Sequence, residues 1–94
     1  MIKLISIKPS NASGKKYTAK FRINDKNKTV HFGATGYSDY TKHHDEERKK
    51  RYLARHKKED WTDPTKAGTL ARYILWNKKT ITASIADYKR RFKL

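Results

Sequence analysis

The chain has 94 residues, with 24 Lys and Arg against nine Asp and Glu, for a net charge of +15. This length makes one small domain with a thin core, because a domain of this size buries only about 60–65% of its unfolded surface. It has no cysteine, which excludes disulfides, thiolate metal sites and a cysteine nucleophile, and no apolar run approaches the roughly 20 residues of a membrane span.

Low hydrophobic and high charged content, 35% each, would suit a disordered chain. Two Trp, six Tyr and three Phe, spread along the sequence rather than clustered, argue for a fold. The apolar part of MIKLISIKPS is too short for a signal peptide. The sequons Asn11-Ala12-Ser13 and Asn27-Lys28-Thr29 therefore read as chance matches.

In chain order, Ile2 to Lys8 is β-branched and apolar and is bounded by Pro9, which predicts a first strand. Pro9 to Gly14 is a turn cluster. From Lys16 the chain alternates: Tyr17, Ala19, Phe21 and Ile23 fall on one face, and Lys16, Thr18, Lys20 and Arg22 on the other. A period of two is a half-buried strand. Asn24 to Asn27 is turn chemistry, and Lys28 to Phe32 returns with Val30 and Phe32 on one face. The expectation is a three-stranded antiparallel meander with one apolar and one basic face, which needs a helical cover to be stable.

Gly33 to Tyr40 breaks the strand, with Tyr37 and Tyr40 placed to anchor the loop. A helix is predicted over 45–58, with Asp45, Glu46 and Glu47 in its first turn and Lys57 and Lys58 in its last, complementing the helix dipole. A second helix over 64–76 takes Asp63 as N-cap and Pro64 at its first position. Ala67, Leu70, Ala71, Ile74 and Leu75 form its buried stripe. Gly68 weakens it by about 1 kcal/mol relative to Ala, and a close crossing by another element would account for that glycine. A third helix over 82–92, capped by Thr80 or Thr82, carries Ile81, Ile85, Tyr88 and Phe92 at amphipathic spacing. The whole predicts a single α+β domain over 1–94, with its β part at about 1–33 and its helical part at about 42–94. The expected core is Phe21, Ile23, Val30, Phe32, Leu70, Ile74, Ile85, Tyr88 and Phe92.

The charge is not a detachable tail. Residues 1–40 carry eight bases and two acids, 41–60 eight and five, and 61–94 eight and two. A domain this basic repels itself unless something neutralises it, which points to a polyanionic partner. The candidate polyanion-binding residues are Lys16, Lys20, Arg22 and Lys28 on the solvent face of the sheet, Arg48, Lys49, Arg51, Arg55 and Lys58 on the middle helix, and Arg90 and Arg91 at the end. Aromatic side chains are the usual anchors of protein interfaces, so Tyr37, Tyr40 and Trp61 are the candidate protein-contact residues, whereas Trp76 reads as core.

No catalytic or metal spacing appears. His43 and His44 are adjacent and diverge, and HExxH is absent. Gly33-Ala34-Thr35-Gly36 lacks the Lys-Ser/Thr of a phosphate loop. The expectation is a protein with no enzyme activity, cofactor, metal or small-molecule substrate. A metal-dependent nuclease is a third reading, for which no ligand spacing is present.

The stretch Lys16 to Gly33 faintly resembles the three-stranded sheet of AP2 and integrase arm-type DNA-binding domains. A longer resemblance covers roughly residues 16–92. Phe32-Gly33, Gly36 to Thr41, Glu47 to Lys58, Trp61, Ile74 to Lys78, Ser84 and Asp87 to Phe92 resemble a family of small basic proteins encoded by large DNA viruses of algae and other protists. That resemblance implies a virus-encoded protein and carries over no catalytic residue. The first expectation it supports is a structural component of a virus particle, a minor capsid or core protein contacting other virion proteins or the genome. Such a protein would be found in the virion, and in the host cytoplasm or nucleus during assembly. The alternative is a weakly specific DNA-binding protein using its basic sheet face and helices.

Overall fold

A computed structural model describes all residues from Met1 to Leu94. Three antiparallel strands in sequence order, β1 (Ile2–Pro9), β2 (Lys15–Ile23) and β3 (Lys26–Ala34), form the N-terminal sheet. Helices follow: a short α1 (Tyr40–His43), α2 (Glu46–Arg55), α3 (Ala67–Leu70), which runs on as a π-helical turn over Ala71–Leu75, and α4 (Ile81–Phe92). The α+β order and the three longer helical segments match the expectation; α1 is additional.

A bulge sets the faces of the sheet. Leu4 pairs with Phe21 and Ser6 with Lys20, so Ile5 has no partner on β2. Without the bulge, strict alternation would send Ser6 inward with Leu4 and turn Ile7 outward. With it, Ile2, Leu4 and Ile7 all pack toward the core, and Lys3, Ser6 and Lys8 all face away. Ile5 is left 53% exposed.

The core is a seam between sheet and helices. Ala19, Phe21 and Phe32 from the strands meet Leu70, Ile74 and Leu75 from the second helical segment and Tyr88 from α4. Ile23, Val30, Ile85 and Phe92 pack against this cluster but remain half-buried. Gly33 permits a close approach between sheet and helix. It holds φ +78°, and a Cβ there would lie 2.8 Å from Leu75 Cδ1 and 3.2 Å from Lys16 Cβ.

Local chemistry explains most helix ends. Asp45 accepts from the backbone N–H groups of Glu47 and Arg48 and caps α2, and Thr80 accepts from Ala83 to cap α4. The expected start of the second long helix is different. Asp63 accepts from the Thr65 N–H at 2.9 Å and from its hydroxyl at 2.7 Å, which closes a turn instead of capping a helix. The Pro64 carbonyl accepts from the Tyr88 hydroxyl at 2.7 Å. Residues 62–66 therefore stay outside the helix, with a turn at Pro64 and Thr65, and the helix begins at Ala67 with no side-chain cap. At Gly68 the close neighbour is a side chain: a Cβ there would lie 2.7 Å from Glu59 Oε1. α2 also ends at Arg55, short of Lys58.

Asp87 ties α4 to the turn before it. Its carboxylate accepts from Asn77 at 2.6 Å, Arg91 at 2.6 Å and Arg90 at 2.5 Å, while Asn77 also donates to the Tyr73 carbonyl. The Arg91 bond, with those from Asn77 and Arg90, outweighs burial and holds this carboxyl well below the usual carboxylate range.

Two outcomes are expected from this packing. Gly36 also holds a positive φ, +86°, but has open space around it. Gly36→Ala should therefore cost about 1–2 kcal/mol from backbone strain alone, and Gly33→Ala about 1–3 kcal/mol more from overpacking. Urea denaturation of both variants checks this, and equal losses would mean that Leu75 does not press on Gly33. The second outcome concerns acid. Asp87 has a depressed folded pKa, so it stabilises the fold above about pH 4, where the unfolded carboxyl is ionised, and this is lost as pH falls toward the folded value. Asp87→Asn should be less stable at neutral pH and lose less on acidification below about pH 4, as followed by thermal melts across that range.

Candidate nucleic-acid interface

The outer face of the sheet is polar apart from the exposed Ile5 at the bulge. Register places Lys3 beside Arg22 and Asn27, Ser6 beside Lys20 and Thr29, and Lys8 beside Thr18 and His31. No strand contains an acidic residue. At one end lies a hollow of about 240 Å³ lined by Lys8, Asn11, Thr18, Lys20, Thr29 and His31 with Ser6 and Pro9. The His31 ring is held there: its Nδ1 lies 3.0 Å from Ser10 Oγ and 2.8 Å from Thr18 Oγ1. Hydroxyls, an imidazole and ammonium groups on a surface without carboxylates are donors suited to phosphate oxygens.

The expected basic residues divide by location. Lys20 and Arg22 lie on this outer face and are exposed. Lys16 does not: its ammonium is buried in an ion pair with Asp39 at 2.6 Å, the two side chains being 9% and 3% exposed. Asp39 is fixed in turn by the Thr41 N–H and hydroxyl as it caps α1. Lys28 is on the opposite face from the one expected. It shares the side of Val30 and Phe32 and donates to Thr65 Oγ1 at 3.1 Å, because its register partner is Phe21.

On α2, Arg48, Arg51 and Arg55 are exposed and paired with no carboxylate, and Lys58 is exposed just beyond the helix. Lys49 points the other way. It donates to the Asn77 carbonyl at 2.7 Å and lies over the Tyr40 ring. Burial, with Arg72 nearby, holds its ammonium below the usual lysine range. Lys49 is thus a structural tie. Arg90 and Arg91 grip Asp87 while their side chains stay 75% and 48% exposed.

The three aromatic candidates also separate. Tyr37 is 74% exposed. Tyr40 is 3% exposed and donates to Glu46 at 2.5 Å, so it is unavailable as an interface anchor. Trp61 is half-buried with the Arg72 guanidinium 5.5 Å from its ring centre. Trp76, expected in the core, is half-buried and stacks on Tyr52 at 4.4 Å and 5°. Sequence reasoning missed Lys3, Lys8 and His31. For Lys3 and His31 the available signal was alternation, beside Leu4 and between Val30 and Phe32; for Lys8 it was the spacing from Leu4 to Ile7, three residues apart, which is how a bulge reads.

His43 and His44 serve the turn between α1 and α2. His43 Nδ1 accepts from the Asp45 N–H, and His44 adopts the left-handed conformation that ends α1. No group of three or more His, Asp or Glu side chains converges, and no helix is long and apolar enough to cross a membrane.

The model of a family of unknown function (DUF5754) matches residues 5–56, more than half of the chain. The protein belongs to this family. The matched region contains nearly all of the sheet, the loop holding Tyr37, and α2 with Arg48, Arg51 and Arg55. No curated protein and no solved structure matches the chain.

Lys16 provides a check on this division of roles. Lys16→Ala leaves the Asp39 carboxylate buried without its partner and should cost about 3–5 kcal/mol. A denaturation series showing a loss under about 1 kcal/mol would place the ammonium in solvent instead.

Proposed function

We propose that this protein is a non-enzymatic nucleic-acid-binding component that holds the phosphate backbone against the outer face of its sheet. The observation that carries this reading is the acid-free face itself. Lys3, Lys8, Lys20 and Arg22 project from it among neutral donors, and none has a carboxylate partner. Such a surface attracts phosphates without regard to sequence, since base edges are read by side chains placed in a groove. In the virus-encoded setting that the resemblance implies, this property suits a core component lying between shell and genome.

If four cations each neutralise one phosphate, the logarithm of the DNA affinity should fall by about 0.9 per log unit of salt for each phosphate, a slope near four. Replacing Lys20 and Arg22 together by Ala should lower that slope by about two. Fluorescence anisotropy with a labelled duplex across a salt series checks it; an unchanged slope would remove the sheet from the interface. One observation favours a second reading, a structural protein of the particle: Tyr37 stands exposed and makes no contact with another ring. In that case Tyr37→Ala should reduce incorporation into purified particles, measured by quantitative proteomics, while the Lys20 and Arg22 variant assembles normally.

A further inference from the structure

A second concave site lies away from the outer sheet face, between the loop after β3, α2 and the π-helical turn. It encloses about 540 Å³, within the roughly 300–1,000 Å³ range of ligand pockets. Arg48, Arg51 and Arg55 line one side. At about 100° per residue the three fall within an arc of roughly 60° on one face of α2, with Tyr52 beside them. None of the three guanidinium groups donates a hydrogen bond within the chain or pairs with a carboxylate, although Glu46, Glu47 and Glu59 are close in sequence. The one acid in the cleft, Asp39, is neutralised by Lys16.

Aromatic rings make up much of the rest of the lining. Trp76, Tyr52 and His56 form a ladder in the wall, with successive centres 4.4 and 4.3 Å apart, and His43 extends it outside the cleft, 5.3 Å from Trp76. The π-helical turn contributes Ala71 and Leu75 beside Trp76. Burial pushes the Tyr52 hydroxyl up to about 12, so it stays neutral against the arginines. At the rim stands Tyr37, its ring unpartnered.

We infer that this cleft binds a nucleotide unit, with the phosphates on Arg48, Arg51 and Arg55 and the base stacked on Tyr37. Guanidinium forks match phosphate oxygens two at a time, and an exposed aromatic ring accepts the face of any base. An acidic peptide would use the arginines but would have no use for a free aromatic face. The inference does not rest on the sheet reading, because no residue of the outer face lines the cleft.

The test titrates the full chain at about 0.15 M salt, where weak surface attraction is screened, and follows the fluorescence of Trp76 and Trp61. The probes are ATP, inorganic tripolyphosphate, hexaglutamate and a twelve-residue oligothymidylate. ATP should bind about tenfold or more tightly than tripolyphosphate, the difference being the stacked base. Tyr37→Ala should bring the two to parity. Arg51→Ala with Arg55→Ala should weaken both by about tenfold or more. Lys20→Ala with Arg22→Ala should change neither. Competition between oligothymidylate and ATP identifies a nucleic-acid strand as the source of the nucleotide unit, and ATP binding without competition identifies a free nucleotide; either supports the site. Parity of ATP with tripolyphosphate in the unmodified chain, hexaglutamate binding as tightly as ATP, or undiminished binding by the double arginine variant would overturn it. If that variant fails to fold, Arg51→Lys with Arg55→Lys keeps the charge and removes the planar forks, and should still lose affinity.

Discussion

One seam holds this molecule together: Phe21 and Phe32 on the sheet against Leu70, Ile74 and Tyr88 on the helices. A three-stranded sheet has too little apolar area to persist uncovered, and the second helical segment and α4 pack on each other and on the strands. Only eight apolar side chains are fully buried, so each contact in the seam matters more than it would in a larger core. The seam must also withstand the mutual repulsion of a +15 surface. Gly33 and Leu75 mark a close contact, where a missing Cβ lets a helix settle onto the sheet.

The acids explain how the surface became so one-sided. Eight of the nine are engaged inside the chain: Asp39 with Lys16, Asp45 at the cap of α2, Glu46 with Tyr40, Glu47 with Lys50, Glu59 with His56, Asp60 with Thr62, Asp63 with Thr65, and Asp87 with Asn77, Arg90 and Arg91. Carboxylates here act as caps, turn closers and ties, which are short-range tasks. Most lysines and arginines have no such task and face solvent. The result is a domain whose excess cations have few carboxylates near them, with an unopposed face on the sheet and an unopposed stripe on α2.

Those two surfaces differ in kind. The sheet face is lined by ammonium groups and hydroxyls, which suits a backbone of repeated phosphates with no demand on sequence. The cleft beside α2 is larger and combines guanidinium forks with rings, which suits a single unit held in a defined pose. The π-helical turn contributes to that cleft. Its wider winding buries both Ile74 and Leu75 and leaves Trp76 stacked on Tyr52, and such turns are frequent at functional sites.

Much of the fold was legible in the residues. Alternation from Tyr17 to Ile23 defines β2, the turn chemistry of Asn24 to Asn27 defines the hairpin, and the acids from Asp45 to Glu47 mark one helix start, because each of these is a local effect; the last helix start was narrowed to Thr80 or Thr82, of which Thr80 is the cap. Charge balance alone likewise made the surface basic. What only the tertiary structure decided are the features that depend on partners distant in sequence. The bulge at Ile5 brings Lys8 onto the same outer face as Lys3, and is chosen by pairing with β2. Lys16 leaves that face because Asp39, 23 residues away, lies within reach. Asp63 does not cap a helix, in a turn whose Pro64 carbonyl accepts from the hydroxyl of Tyr88. Arg48, Arg51 and Arg55 become a site only when the loop of Tyr37 and the ring of Trp76 close around them. Local propensity reads along the chain, while these choices are made by the free energy of burying or pairing a group across it, and no window of neighbouring residues contains that term.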